Sequence, residues 1–311
     1  MTEPLHARDI SGKGRYYGNC GRDGCPFGDD LYISVTNAQG VVAKPALVPS
    51  AVKLTAEYAW EVLPRMVALS RQTGPSPCEK RKVKDRCGSC RFCLTAEMKR
   101  QYDTIWEHAR DTGTKVHGAA YAENIGQPRG YDPDIEPFIQ MYLRVMDRLG
   151  VDLDRDIVMA ESTVLDRDHG FAGTGDIGTM LRLNPATGEW SPRKKWLWLL
   201  DIKTSLTKPA ATVYDDQVLQ LAGLRYAPTL ILADDTETAN LPYDGAALLN
   251  LRTNDAALIP LPADQTAWTG FLHAVGLQTF MHATNSRDWR PVAPPAAAPA
   301  AATTSTARKA S

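Results

Sequence analysis

The stretch WLWLLDIKTS, Trp196 to Ser205, decides how this chain is read. Five apolar residues run unbroken, as in a core β-strand, and then give way to Asp201 and Lys203. On a strand, residues i and i+2 share a face, so the acid and the ammonium group point together while Ile202 points to the opposite side. Desolvating a charge is costly unless it is paired, so a core strand carrying two of them needs a reason. One is an Asp–Lys pair at a strand end that reaches solvent. The other is a functional site.

Working outward, the neighbouring segments have the same character. DIVMAESTVL and FAGTGDIGTMLRL read as two further strands, and the second joins the Trp196 strand across NPATGEW, a turn-forming cluster. Downstream, TVYDDQVLQLAGLRYA reads as a helix, TLILAD as a strand and GAALLNLRTNDAALIPL as a hairpin turning at Asn254-Asp255. A last helix is expected from about Asp264 to His282. Upstream, SAVKLTAEYAWEVLPRMVAL has helical apolar spacing interrupted at Pro64. A second helix is expected from about Thr95 to His108, and a third from near Asp111, with His117 close to its start. EPFIQMYLRVMDRLG is the clearest amphipathic helix, stopped by Gly150. Helices followed by strand-strand-strand-helix-strand predict an α/β fold with a mixed β-sheet flanked by helices.

Four regions follow from this pass. Residues 1–50 read as an irregular, Gly-rich N-terminal segment with one alternating stretch, LYISVT. Residues 51–150 form a helical region with a Cys-rich insertion at 78–93, residues 151–290 the core, and residues 291–311 a disordered Pro/Ala-rich tail. The chain of 311 residues suffices for one substantial core, and its formal charge of -1 carries no global signal for a polyanionic partner. No apolar run approaches the length of a membrane span and the N-terminus lacks an apolar signal core, so a soluble cytoplasmic protein is expected.

Asp201 has company. Asp176, flanked by small residues in GTGDIG, sits where the neighbouring strand of the hairpin could bring it beside Asp201. Adjacent carboxylates stay ionised mainly with a cation between them, and oxygen ligation suits Mg²⁺ or Mn²⁺. Glu161 in MAEST adds a third strand-borne carboxylate and His117 an imidazole. Taken singly, His117 reads as a solvated helix residue and Glu161 as a strand-surface acid. Together with Lys203 they fit metal-assisted phosphodiester hydrolysis.

In this order, His117, Glu161, the Gly-x-Asp of GTGDIG, the Asp-x-Lys of LLDIKTS and the Gln-bearing helix DQVLQLAGLRY resemble the RecB-like branch of the PD-(D/E)XK nuclease superfamily. The likeness is greatest to CRISPR-associated adaptation exonucleases and their phage-encoded relatives, and covers roughly residues 31–280. It implies a restriction-endonuclease-like core and a metal-dependent DNA exonuclease serving phage recombination, repair or replication in the host cytoplasm. The implied partner is DNA with free ends; no protein partner is implied. Asp176 and Asp201 would be the principal Mg²⁺ or Mn²⁺ ligands, aided by the Ile202 backbone carbonyl and His117. Glu161 would ligate the metal or hold its water, and Lys203 would orient the attacking water. Gln220 matches the Gln of the family's Gln-x-x-x-Tyr motif, but Leu224 stands where the Tyr belongs; Tyr226 lies further on, and Gln217 competes for the Gln role. A structure-specific endonuclease and a catalytically decayed nucleic-acid-binding module are the alternatives.

The cysteines cluster as well. Cys78, Cys87, Cys90 and Cys93 are spaced C-x8-C-x2-C-x2-C, and thiolates this close call for a shared metal. Structural Zn²⁺ is expected, with an iron–sulfur cluster as the alternative. RecB-like relatives with such a cluster place three cysteines after the nuclease core, and here none follows Cys93. Cys20 and Cys25 remain unassigned. The same segment is basic, with Lys80, Arg81, Lys82, Lys84, Arg86 and Arg91 as candidate nucleic-acid contacts; the plainer reading is a solvated charged loop.

Overall fold

The computed structural model describes residues 6–18, 24–71, 76, 78–79, 81–128 and 130–284. The expected disordered tail at 291–311, and Cys20 and Lys80, lie outside them. Among the described residues, ten strands form one mixed sheet: β1 (Ala7–Ile10), β2 (Gly14–Gly18), β3 (Leu31–Ser34), β4 (Ile157–Asp166), β5 (Phe171–Leu181), β6 (Trp196–Thr204), β7 (Thr229–Ile231), β8 (Glu237–Ala239), β9 (Gly245–Leu251) and β10 (Ala256–Pro260). Around it pack α1 (Val35–Ala38), α2 (Leu47–Glu61), α3 (Leu63–Ser70), α4 (Arg91–Met98), α5 (Gln101–Asn124), α6 (Glu136–Arg148), α7 (Leu153–Asp156), α8 (Asp216–Tyr226) and α9 (Gln265–Ala283). The chain is thus α/β, with a mixed sheet flanked by helices.

The apolar run of β6 is explained by two cores, one on each sheet face. Trp198, Leu200 and Ile202 pack with Val116 of α5 and Phe138, Ile139 and Tyr142 of α6. Leu199 belongs to the other core, with Leu221 and Leu224 of α8 and Phe271 of α9. A strand covered on both faces needs apolar residues at every position, so its alternation is lost. Asp201 shares the parity of Leu199 and faces α8.

The topology opens a fork at β5. One edge of β5 pairs antiparallel with β4 along most of its length. On the other edge, β3 pairs in parallel only at Phe171 and Ala172, and β6 pairs antiparallel only from Ile177 to Leu181. Residues 173–176 lie between, where β3 has ended and β6 has turned toward its parallel partner β9. Gly173 serves the fork directly: a Cβ there would stand 2.7 Å from Val35 Cγ2 and 2.8 Å from Leu224 Cδ2, so only glycine lets α1 and α8 close on the strand.

Three expectations change. The N-terminal segment read as irregular contributes β1, β2 and β3; its hairpin strands are short and polar and turn through Gly12 and Gly14 at φ +75 and +79, leaving little periodic signal. The break expected between His108 and Asp111 is absent, and α5 runs through it. Gly113 lies in the helix beside Thr204 of β6, and Thr112 Oγ1 donates to the His108 carbonyl at 2.9 Å. His117 therefore sits deep within a long helix rather than near the start of one. The short edge strand β8 follows the expected β7 in a hairpin with no strong apolar pattern. The interruption at Pro64 appears as the α2–α3 break at Val62.

Candidate active site

Strand register brings the carboxylates into one line. The β4–β5 pairs Ala160↔Ile177 and Ser162↔Gly175 bracket Glu161 and place it across from Asp176. The β5–β6 register ends at Ile177↔Leu200, and one further step sets Asp176 across from Asp201. Three adjacent strands thus each carry an acid on the same rung. Glu161 adopts φ +43, a left-handed conformation rare for a residue with a side chain. Such strain costs about 1–3 kcal/mol and concentrates at functional sites.

Where β5 and β6 part, the Asp176 side chain replaces the sheet ladder: its Oδ2 accepts from the Ile202 amide at 2.7 Å. At the carbonyl of the same residue, His117 Nε2 donates to Ile202 at 3.0 Å. His117 Nδ1 then stands 3.4 Å from both Glu161 Oε1 and Asp176 Oδ1. Beside them is a closed triangle. Gln220 Nε2 donates to Asp201 Oδ1 at 2.9 Å, Lys203 Nζ donates to Gln220 Oε1 at 3.0 Å, and Lys203 Nζ lies 2.7 Å from Asp201 Oδ2.

Asp201 and Asp176 are only 2% and 7% exposed, so their charges interact through protein rather than water. Burial opposes the His117 imidazolium, but Asp176 and Glu161 outweigh it and hold the group well above its ordinary 6.5. Burial likewise opposes Lys203, and Asp201 and Asp176 more than restore it. Asp176 is held below its ordinary range despite burial, by His117, Lys203 and the Ile202 amide. Glu161 is pushed up by burial and by Asp176, against the pull of His117. Burial also pushes Asp201 up, with Lys203 pulling the other way. Five titratable groups of opposite sign are therefore packed so that each sets the charge of the next.

A cleft of about 640 Å³ opens over this cluster. His117, Glu161 and Asp176 each offer one ligand atom, all within 4.8 Å of one another. Asp201, expected as a principal ligand, is not one of that trio, because its oxygens face Gln220 and Lys203. Of the rival glutamines, Gln220 reaches the site; Gln217 Oε1 instead accepts from the Tyr214 amide at 2.8 Å at the start of α8. Leu224 is buried in the cleft wall, and Tyr226 packs toward Trp268, with ring centroids 5.9 Å apart.

Sequence reading missed the contribution of the N-terminal strands. Tyr17 of β2 lies buried in the cleft wall, its hydroxyl sharing a 2.8 Å hydrogen bond with Thr174 Oγ1, and burial pushes its pKa up to about 12. Arg15 of β2, Ser34 at the end of β3 and Arg110 of α5 also line the cleft. Only the Gly-Lys-Gly turn in ISGKGRYYG hinted that a hairpin delivers two of them.

The second cluster stands apart from the cleft. The Sγ atoms of Cys90 and Cys93 are 3.5 Å apart and those of Cys87 and Cys93 4.0 Å. Four thiolates on one Zn²⁺ at about 2.3 Å would be spaced by about 3.8 Å. Cys78 Sγ accepts from the Cys87 amide at 3.2 Å and Cys90 Sγ from Ser76 Oγ at 2.9 Å. The Ser76 hydrogen bond leads in lowering Cys90 to about 6, whereas burial raises Cys93 to about 11. The four thiols lie close enough to share one metal ion such as zinc. Cys25 is disulfide-bonded. Of the basic candidates, Arg81, Lys82, Lys84 and Arg91 are exposed, and Arg86 is half-buried with its guanidinium 4.9 Å from the Phe92 ring centre. None of these lines the carboxylate cleft.

No protein-family model matches the chain, and no curated protein matches it. No helix among the described residues is long and apolar enough to cross a membrane.

Proposed function

We propose that this chain is a metal-dependent DNA exonuclease with a restriction-endonuclease-like core, the activity its PD-(D/E)XK resemblance implies. One observation carries the reading: Glu161, Asp176 and Asp201 share a rung of three adjacent strands, with His117 and Lys203 against them. A purely structural Asp–Lys pair would need neither the other two carboxylates nor the strained Glu161. The donor set fits a hard divalent cation, Mg²⁺ or Mn²⁺, with His117, Glu161 and Asp176 as the trio that would hold it.

When bound, such an ion polarises a phosphoryl oxygen and acidifies water. The chain's own residues do the rest. Lys203, kept charged by Asp201 and steadied by Gln220, offers a cation to the developing negative charge of a pentacovalent phosphate. Asp201 fixes that ammonium group in place. Asp176 holds the Ile202 amide and His117 the Ile202 carbonyl, so both backbone groups of that residue are fixed beside the cleft. The leucine at 224 leaves the helix-borne tyrosine of the family pattern without a counterpart on α8.

The test is degradation of linear DNA with Mg²⁺ or Mn²⁺, by wild type and by Asp201→Ala. Activity in wild type that vanishes with EDTA and in the variant is expected; equal activity in both proteins sinks the reading. Comparing open linear DNA with end-blocked and circular DNA separates exonuclease from endonuclease. For the cysteine cluster, we assign Zn²⁺ over an iron–sulfur centre, and a colourless purified protein with about one zinc per chain is the expected result.

A further inference from the structure

The carboxylate rung creates a difficulty for the substrate proposed above. A nucleic acid is a polyanion, and the cleft floor carries three acids against the two cations His117 and Lys203. Something at the rim must draw a phosphodiester chain past that floor. Two arginines line the same cleft from different elements, Arg15 on β2 and Arg110 on α5. Among the described residues, neither is committed elsewhere. The nearest carboxylate to Arg15 is Asp9 at 3.9 Å, and to Arg110 it is Glu107 at 4.0 Å, both pairs solvent-exposed. Pairs this long and this wet contribute almost nothing, so both guanidinium forks are free to bind an oxyanion. Arg15 also lies close enough to act electrostatically on Tyr17, the same buried side chain that feels Glu161 and Asp176.

Asp176 and Asp201 are almost fully buried, so a scissile phosphate has to enter the cleft to reach them. On the face of α5 that lines the cleft, Gly118 follows His117 with no heavy atom within 4 Å of its missing Cβ. The missing side chain leaves room there for a backbone to pass close to the helix.

We infer that Arg15 and Arg110 are the phosphate-positioning residues of this cleft, holding the nucleic-acid backbone beside the scissile phosphate. The inference rests on the nuclease reading and adds the residues that seat its substrate. Both arginines act on binding and register rather than on bond breaking.

The experiment measures binding of a fluorescent single-stranded oligonucleotide in EDTA, across a salt series, for wild type, Arg15→Ala, Arg110→Ala and Arg110→Lys. In parallel, KM and kcat are measured with Mn²⁺. Each alanine variant is expected to weaken single-strand binding about tenfold, the loss of one charged hydrogen-bonding contact. Each should also reduce the slope of log affinity against log salt by about 0.7. KM should rise with kcat nearly unchanged, and Arg110→Lys should recover most of the salt slope. Wild-type affinity and slope in both alanine variants would overturn the inference. Those results leave the nuclease reading standing if wild type still cleaves DNA; a wild type that neither binds nor cleaves any nucleic acid removes both. Both arginine side chains are well exposed, so the variants are expected to fold, with an unchanged melting temperature as the control.

Discussion

Glu161 provides a direct test of whether the candidate site stores strain. Replacing it with glycine or alanine removes the carboxylate in both cases, so the lost His117 contact and the relieved repulsion from Asp176 are common to the two variants. They differ only by a Cβ at a backbone held at φ +43. A Cβ in that left-handed region costs roughly 1–2 kcal/mol. Glycine gives back about 0.5–1 kcal/mol through the greater freedom of its unfolded chain. Glu161→Gly should therefore be more stable than Glu161→Ala by about 0.5–1 kcal/mol. For a chain of this size that difference is about 1–2 °C in melting temperature. Urea unfolding and calorimetry, both in EDTA, resolve it: the glycine variant should have the higher midpoint with an unchanged m-value. Neither variant should degrade DNA with Mn²⁺. Alanine equal to or better than glycine refutes the claim that Glu161 is strained.

Three further outcomes follow from the packing and charges. Gly173→Ala drives a Cβ into Val35 and Leu224, both buried, and should destabilise the protein by about 1–3 kcal/mol in thermal unfolding. Removing the zinc proposed for the cysteine cluster should expose α2, α3 and α4 to limited proteolysis before the sheet unfolds, because Val62, Leu69 and Leu94 are the only buried members of the apolar cluster joining those helices. Glu97 ties that region together by accepting from Tyr58 of α2 and from both guanidinium nitrogens of Arg65 on α3. Arg65 leads in holding Glu97 below its ordinary 4.5, so its stabilisation is present above pH 4.5 and is lost as the pH falls below it. Hydrogen-exchange protection in α2–α4, taken relative to the intrinsic rate at each pH, should fall on acidification across that range in wild type, and much less so in Glu97→Gln.

Much of the α/β core was legible because its signals are local. The period of α6, the unbroken run of β6 and the Asn254-Asp255 turn of the β9–β10 hairpin each reflect a residue's own neighbours. In the N-terminal segment only β3 left a local trace, the alternation of LYISVT, and its place in the sheet is set by pairing with β5, more than a hundred residues away; β1 and β2 are short and polar and left none. The run through Gly113 misled in the same way, since a glycine that weakens an isolated helix is tolerated where the helix packs closely against β6.

For the candidate site, the sequence by itself determined which groups are present and their phase. The i and i+2 spacing put Asp201 and Lys203 on one face, and the small residues around Asp176 marked a strand where another chain element comes close. Tertiary structure alone decided what each group touches. Register set Glu161, Asp176 and Asp201 on one rung, and the fork at β5 left the Ile202 amide and carbonyl to be held by Asp176 and His117. The turn of α8 chose Gln220 over Gln217 and directed Asp201 toward Lys203 instead of into the trio of His117, Glu161 and Asp176. The β1–β2 hairpin brought Arg15 and Tyr17 to the cleft from the far end of the chain. Such choices depend on strand pairing across long loops, whose registers differ by whole residues and so by the identity of every facing side chain.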